Sequence, residues 1–424
     1  MLNEVFYGIE CSNYEKLSFP VPQHHDLLAQ GDSMSVSQKI KTTLERASWI
    51  RRMFEEGAEL KARLGADRVY DFTLGNPDLE PPPRFKEAMV QVARDPSPGL
   101  HSYMPNAGLL VTRQALAGHL SGMYLRDFKP DDVVLTCGAA GALNVIFKTL
   151  LDPGDEVIIL APFFPEYLFY TDNHGGTAVV AETDSTFQLD LKAVQKALSP
   201  RTKAVLINSP NNPTGQVYPA AALNELGHLL KKHGEQEGRD IYLIADEPYS
   251  RILFDGLELP NIFSVYHNTV LATSFSKDLS IPGERLGLVA VDPQAAHRDE
   301  LLAGFILANR ILGFVNAPAF MQRVVAKVPG LSVDITPYTR RRDLFAQVLT
   351  EAGYRFQQPQ GAFYFFPEAP GGDDLAFVNR LKQENILAVP GCGFGRAGYF
   401  RLVFCVPEAV IEKAAAGFLR AAKG

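Results

Sequence analysis

Cysteine is scarce in this chain of 424 residues: Cys11, Cys137, Cys392 and Cys405 are its four, and no two form a C-x-x-C pair. That leaves no disulfide framework and suits a reducing, cytoplasmic compartment. Excess positive charge is also missing. Lys and Arg total 41 against 48 Asp and Glu, a formal net charge of −7, which excludes a general nucleic-acid binder with its basic face. The densest basic run, Arg340-Arg341-Arg342, sits in a helix-like stretch and is expected to be a solvated face. No stretch reaches the roughly 18 uncharged apolar residues of a membrane span; the most apolar one, Val133 to Phe147, is broken by Thr136, Gly138, Gly141 and Asn144. The first residues carry acids and lack a basic segment before an apolar core, so no secretory signal is expected. His24 and His25 stand together without further ligands, so no metal is expected.

What is present is an ordinary globular balance, 46% hydrophobic and 21% charged, with length for a large domain and a smaller one. Residues 1–36 show no helical or strand period. A helix is expected from Ser37 to Leu64, with Gly65 as its stop. Met34 stands just before it and is one candidate for the biological start, which would make residues 1–33 an upstream addition; the sequence leaves this open. From Tyr70 the chain becomes regular. Short apolar strands are expected at Val133–Thr136, Val157–Leu160, Ala178–Ala181, Ala204–Asn208, Tyr242–Ala245, Val270–Thr273 and Leu288–Val291. Helical patterns such as Gly141–Leu151, Leu189–Leu198 and Ala220–His233 lie between most of them. This alternation means an α/β fold, a seven-stranded, mostly parallel sheet with helices on both faces. After Pro318 the grammar changes to a smaller α+β unit, with strands at Ala362–Phe366, Ile386–Val389 and Tyr399–Cys405. The expected division is an irregular extension (1–36), a helix and segment joining the smaller domain (37–75), a large domain (76–325) and the small C-terminal domain (326–424).

In open parallel sheets ligands bind beyond the carboxyl ends of the strands, and the unusual residues of this chain cluster there. Ser274-Phe-Ser-Lys277 follows an apolar strand, and Arg285 follows eight residues after the lysine. A lysine at a buried strand end is costly unless its amine is neutral or used covalently. A Schiff base with an aldehyde cofactor gives it that use, and neighbouring cations would lower its pKa. Ser274 and Arg285 then read as phosphate ligands, a hydroxyl donor and a planar charged fork, which outlines a pyridoxal phosphate site. Asn208-Ser-Pro-Asn-Asn-Pro-Thr-Gly215 carries two prolines and a glycine that restrict its backbone, and Asn212 can aim its amide at a ligand; a plain tight turn is the bland alternative. Asp246-Glu-Pro-Tyr249 ends another strand. Its carboxylate could hold a ring nitrogen protonated, or it could simply cap a helix.

In this order Asn212, Asp246, Tyr249, Lys277 and Arg285 resemble the class I/II aminotransferases of the pyridoxal-phosphate-dependent fold type I superfamily, closest to the aspartate-aminotransferase-like branch. The resemblance runs from about Tyr70 to the C-terminus. It implies pyridoxal 5'-phosphate as cofactor, joined to Lys277 as a Schiff base; Lys277 would also move the proton in the transfer step. Asp246 would pair with the pyridine nitrogen, and Tyr249 and Asn212 with its phenolic oxygen. Ser274, Arg285 and the turn at Gly138, Ala139 and Ala140 would hold the phosphate, and Phe164 would stack on the ring. Arg401 would grip the substrate's α-carboxylate, with Asn212 and the loop glycine Gly75 beside it. Tyr103 would reach the phosphate of a neighbouring subunit, implying a homodimer with shared sites. Arg310 falls near a position that reads a distal carboxylate in some relatives, offset by about a residue, while Ile311, Leu312 and Phe314 would suit an apolar side chain.

The implied activity is ping-pong transfer of an amino group from an L-amino acid to a 2-oxo acid. A pyridoxal-phosphate C–S β-lyase uses the same residues and stays open at this point. A non-catalytic ligand-binding protein on the same fold is disfavoured, because the N-terminal residues are too few and too little basic for a DNA-binding module.

Overall fold

The computed structural model describes residues 35–37, 39–41 and 49–423. Cys11, His24, His25 and Met34 lie outside the described residues. Of the helix expected from Ser37, residues 39–41 and α1 (Trp49–Leu64) are described and helical. It leads to β1 (Tyr70–Asp71), α2 (Pro83–Ala93) and α3 (Leu110–Tyr124). Strand and helix then alternate as β2 (Val133–Thr136), α4 (Gly138–Leu150), β3 (Glu156–Ala161), α5 (Glu166–Asn173), β4 (Thr177–Glu182), α6 (Leu191–Ala197), β5 (Thr202–Asn208), α7 (Ala220–Glu237) and β6 (Tyr242–Asp246). β7 (Thr269–Ser274) and β8 (Gly287–Val291) complete the large sheet, followed by α8 (Arg298–Ile311) and α9 (Ala319–Ala326). The C-terminal part holds α10 (Thr336–Glu351), β9 (Tyr364–Phe365), α11 (Asp374–Gln383), β10 (Ile386–Leu387), β11 (Val389–Pro390), β12 (Phe400–Val403) and α12 (Glu408–Lys423).

All seven expected strands join one sheet, in the order β2-β8-β7-β6-β5-β3-β4. Only β8 runs against its neighbours; the pairs among β3 to β7 are parallel. β2, β3, β6 and β8 are buried at every position, as expected of strands covered on both faces. Successive side chains alternate between two cores. Leu135, Ile158, Val205 and Leu243 point to one, against Phe85, Leu120, Leu226 and Met321 of α2, α3, α7 and α9. Val134, Ile159, Leu206 and Ile244 point to the other, against Phe147 of α4 and Phe305 of α8. Each such side chain gains about 1.5–3 kcal/mol from leaving water, before entropy is counted. Because every strand but β8 points the same way, the carboxyl ends of β5, β6 and β7 lie side by side. Asn208 is in register with Asp246, Asp246 with Ala272, and Ser274 with Gly287.

The C-terminal part packs its own aromatic core, in which the Phe345 ring lies 5.0 Å from Phe72 and 5.6 Å from Phe365. Two expectations need correction here. Ile386–Val389 is not one strand: β10 pairs in parallel with β1, while β11 pairs antiparallel with β12. The apolar run supplies strand character, but the partner changes at Ala388. Nor is Arg340–Arg342 a solvated face. Consecutive helical residues point about 100° apart, so Arg340 stays outside with Glu408, Arg341 pairs with Asp78 at 2.7 Å, and Arg342 is only 4% exposed.

Candidate active site

The site is assembled where the large sheet's carboxyl ends meet the small C-terminal sheet. Lys277 stands three residues past β7, half-buried, and its Nζ donates to the Gly75 carbonyl at 2.7 Å. Burial, with help from the nearby Arg401 and Arg285 charges, lowers its pKa to about 8. A neutral amine is therefore accessible near physiological pH, as nucleophilic and proton-transfer roles require.

Asp246 is the last residue of β6 and is buried. Its Oδ2 accepts from the Tyr167 hydroxyl at 2.5 Å, and its Oδ1 is buried without a hydrogen-bond partner among the described residues. Burial raises its pKa to about 7, against the opposing Tyr167 bond. No helix follows it, so it caps none. Tyr249 places its hydroxyl 2.6 Å from that of Tyr364.

Asn212 is positioned from its own motif: its backbone N–H donates to Asn208 Oδ1 at 2.7 Å. Its own Oδ1 accepts from Arg401 Nη1 at 2.9 Å. Arg401, in the centre of β12, also donates to the Thr73 carbonyl at 2.5 Å. Its guanidinium lies 4.9 Å from the Tyr364 ring and 4.6 Å from the Phe394 ring. Among the described residues it hydrogen-bonds only neutral acceptors, the Glu166 carboxylate acting on it through charge alone, and its Nε has no partner. Burial accordingly lowers its pKa. Such a cation calls for an anionic ligand.

At the other end of the site, Gly138 opens α4 with φ +72°, and a Cβ there would sit 2.8 Å from Arg285 Nη2. Ala139 and Ala140 fill the first turn, where N–H groups lack helical partners and attract anions. Arg285 is exposed, with Nη1 on the Pro282 carbonyl at 2.9 Å. Ser274 ends β7 and is buried. Phe164 is partly buried, its ring 5.5 Å from that of Tyr167.

Tyr103 and Arg310 are not joined to this cluster within one chain. Tyr103 is 90% exposed, and Arg310 is exposed on the last turn of α8. Three residues that sequence reasoning did not single out take part: Tyr167, Tyr364 and Phe394. Tyr167 lay within the proline-bounded motif of Phe164, but nothing local ties it to Asp246, 79 positions away. Tyr364 is 115 positions from Tyr249 and carried no signal beyond strand character.

A lysine of lowered pKa and a buried acid with an unmatched oxygen share this site with a buried arginine and a glycine-opened helix, an arrangement suited to an anionic, nitrogen-bearing ligand. Residues 67–418 match the family described as "Aminotransferase class I and II". The chain is 34% identical over 363 residues to the aspartate aminotransferase of Thermotoga maritima, covering 84% of this chain and 92% of that one. It is 32% identical over 375 residues to the aspartate/prephenate aminotransferase of Thermus thermophilus, with coverage of 84% and 92%. A crystal structure of an amino transferase from Eubacterium rectale superposes with a TM-score of 0.89 at 37% identity, over 92% of this chain and 99% of that one. The chain belongs to the class I and II aminotransferases. It is an aminotransferase that depends on pyridoxal phosphate. The residues present fit that cofactor: the unmatched Asp246 Oδ1 suits a protonated ring nitrogen, and the Gly138–Arg285 cradle, which a Cβ would fill, suits a phosphate.

Proposed function

We propose that the chain moves the amino group of an acidic L-amino acid to a 2-oxo acid by two alternating half-reactions centred on Lys277. The observation that carries this is the buried Asp246 Oδ1 without a partner among the described residues, at the end of the strand next to the one that leads to a lysine of lowered pKa. Such an acid gains its missing bond and loses its desolvation penalty when a cationic N–H meets it. Pyridoxal phosphate, when bound, supplies an aldehyde for amine capture and a ring that draws electrons from the substrate's α-carbon.

The chain's residues do the rest. Asp246 keeps the ring nitrogen protonated, with Tyr167 fixing its orientation. Ser274, Arg285 and the backbone at Gly138, Ala139 and Ala140 hold the phosphate, and Phe164 packs against the ring face. Tyr249 and Asn212 donate to the ring oxygen. Arg401 takes the α-carboxylate through a charge-assisted pair, beside Gly75. Lys277 Nζ would take the α-proton and return it two atoms along, across the nitrogen, which its lowered pKa favours.

The acidic donor rests on the names of the relatives and on Arg310, an exposed cation that would read a distal carboxylate across a subunit boundary. Exposed Tyr103, Leu110, Val111, Leu307 and Ile311 support a homodimer covering this apolar surface. The unbridged Cys137 and Cys405 support a cytoplasmic setting. Residues 37–75 are taken to join 326–424 as one smaller domain against 76–325, since Leu60 and Val69 pack on Leu387.

An absorbance spectrum of the holoenzyme, taken before and after single L-amino acids, tests the reading. Aspartate and glutamate are expected to convert the bound cofactor to its amine form, and Arg310→Ala should slow these two alone. Lys277→Ala should lose about a thousandfold or more in turnover while still binding cofactor. Wild-type turnover in that variant, or release of free ammonia with pyruvate in place of conversion of the cofactor to its amine form, would overturn it.

A further inference from the structure

We infer that Tyr364 is a positioning residue of this reaction, acting through the Tyr249 hydroxyl. The inference rests on the role proposed above for Tyr249. The two phenols lie 2.6 Å apart with their rings nearly perpendicular, at 87°. Both are buried, at 4% and 2% exposure, so water cannot replace either partner.

Each hydroxyl has one proton. If Tyr249 donates to the cofactor's ring oxygen, its own oxygen must accept, and Tyr364 is the donor in reach. Hydrogen bonds in such a chain polarise one another, so a donating Tyr364 makes Tyr249 a stronger donor. The Tyr364 phenol is itself held on three sides. Its ring lies 4.9 Å from the Arg401 guanidinium. Its strand, β9, pairs with the strand that carries Arg401, Val403 opposite Tyr364. A Cβ on Gly75 would fall 2.3 Å from its hydroxyl oxygen, and the Gly75 carbonyl accepts from Lys277. The requirement for glycine at position 75 is therefore room for this phenol. One side chain thus touches the carboxylate-binding arginine, the loop beneath the lysine and the group that tunes the cofactor oxygen.

The test is a pH titration of the bound cofactor's absorbance in four holoenzymes: wild type, Tyr364→Phe, Tyr249→Phe and the double variant. A donor on the ring oxygen favours its anionic form, so weakening that donor raises the midpoint. Tyr364→Phe is expected to raise it by about half a unit, Tyr249→Phe by more, and the double variant by no more than Tyr249→Phe. Gly75→Ala, which displaces the phenol without removing it, should shift the midpoint in the same direction as Tyr364→Phe. An unmoved midpoint in Tyr364→Phe, or shifts that add in the double variant, would overturn the inference alone. An unmoved midpoint in Tyr249→Phe would overturn the Tyr249 role and this inference with it.

Discussion

Two arginines are buried to the same degree in the C-terminal half of the chain, Arg342 at 4% and Arg401 at 3% exposure, and they are kept in opposite ways. Arg342 holds Asp255 with two parallel bonds of 2.7 and 2.8 Å, adds Asp343 at 2.8 Å, and lies 4.7 Å from the Phe254 ring. Burial works against its charge, yet the bonds to Asp255 and Asp343 win and raise its pKa. Arg401 meets only neutral acceptors, Asn212 Oδ1 and the Thr73 carbonyl, and keeps an unmatched Nε; burial wins there and its pKa falls. A buried guanidinium whose charge is matched closes a structure. One left among carbonyls and rings keeps an uncompensated charge, which supports the carboxylate-binding role proposed for Arg401.

The contrast can be broken from either side. Arg401→Leu should cost about a hundredfold or more in kcat/KM for the amino donor, through loss of a charge-assisted pair. Its melting temperature should change little, since an uncompensated buried charge goes with it. Arg342→Leu should do the reverse. Stability should fall by about 2 kcal/mol, from lost packing and lost bonds to acids that water can rehydrate, with the half-reaction rate unchanged. A denaturant titration beside single-turnover absorbance reads both.

Asp246 sharpens the comparison with the opposite charge. Its folded pKa, about 7, lies above the ordinary 3.8. The folded state thus holds a proton that the unfolded state has released across that window, and stability falls as pH rises through it. Cofactor-free Asp246→Asn should lose part of this slope in melts from pH ~4 to ~7, and so should the loaded wild type. Arg340→Ala marks the floor. Its pair with Glu408 is 60% and 43% exposed, and its removal should move stability by less than ~0.5 kcal/mol.

The motifs around Asn212, Asp246 and Lys277 were legible because each is local: a strand end followed at once by a restricted turn or a chemically loaded residue. Sheet membership was legible for the same reason, since strands covered on both faces need continuous apolar runs. The failures fall where a side chain's partner is distant in sequence. Arg340, Arg341 and Arg342 look alike as a run, but Asp78 and Asp255 decide their burial. The Ile386–Val389 run looks like one strand, but two different neighbours, β1 and β12, divide it.

The seven strands of the large sheet, its mostly parallel character and the pyridoxal phosphate dependence were legible in the sequence alone, because apolar periodicity and short motifs act over a few residues. Only the tertiary structure decided that Tyr364 meets Tyr249, that Tyr167 orients Asp246, and which buried arginine has an acid and which does not. Those pairings depend on how separate sheets and helices stack, and no local pattern encodes the distance between two residues that meet only in the folded core.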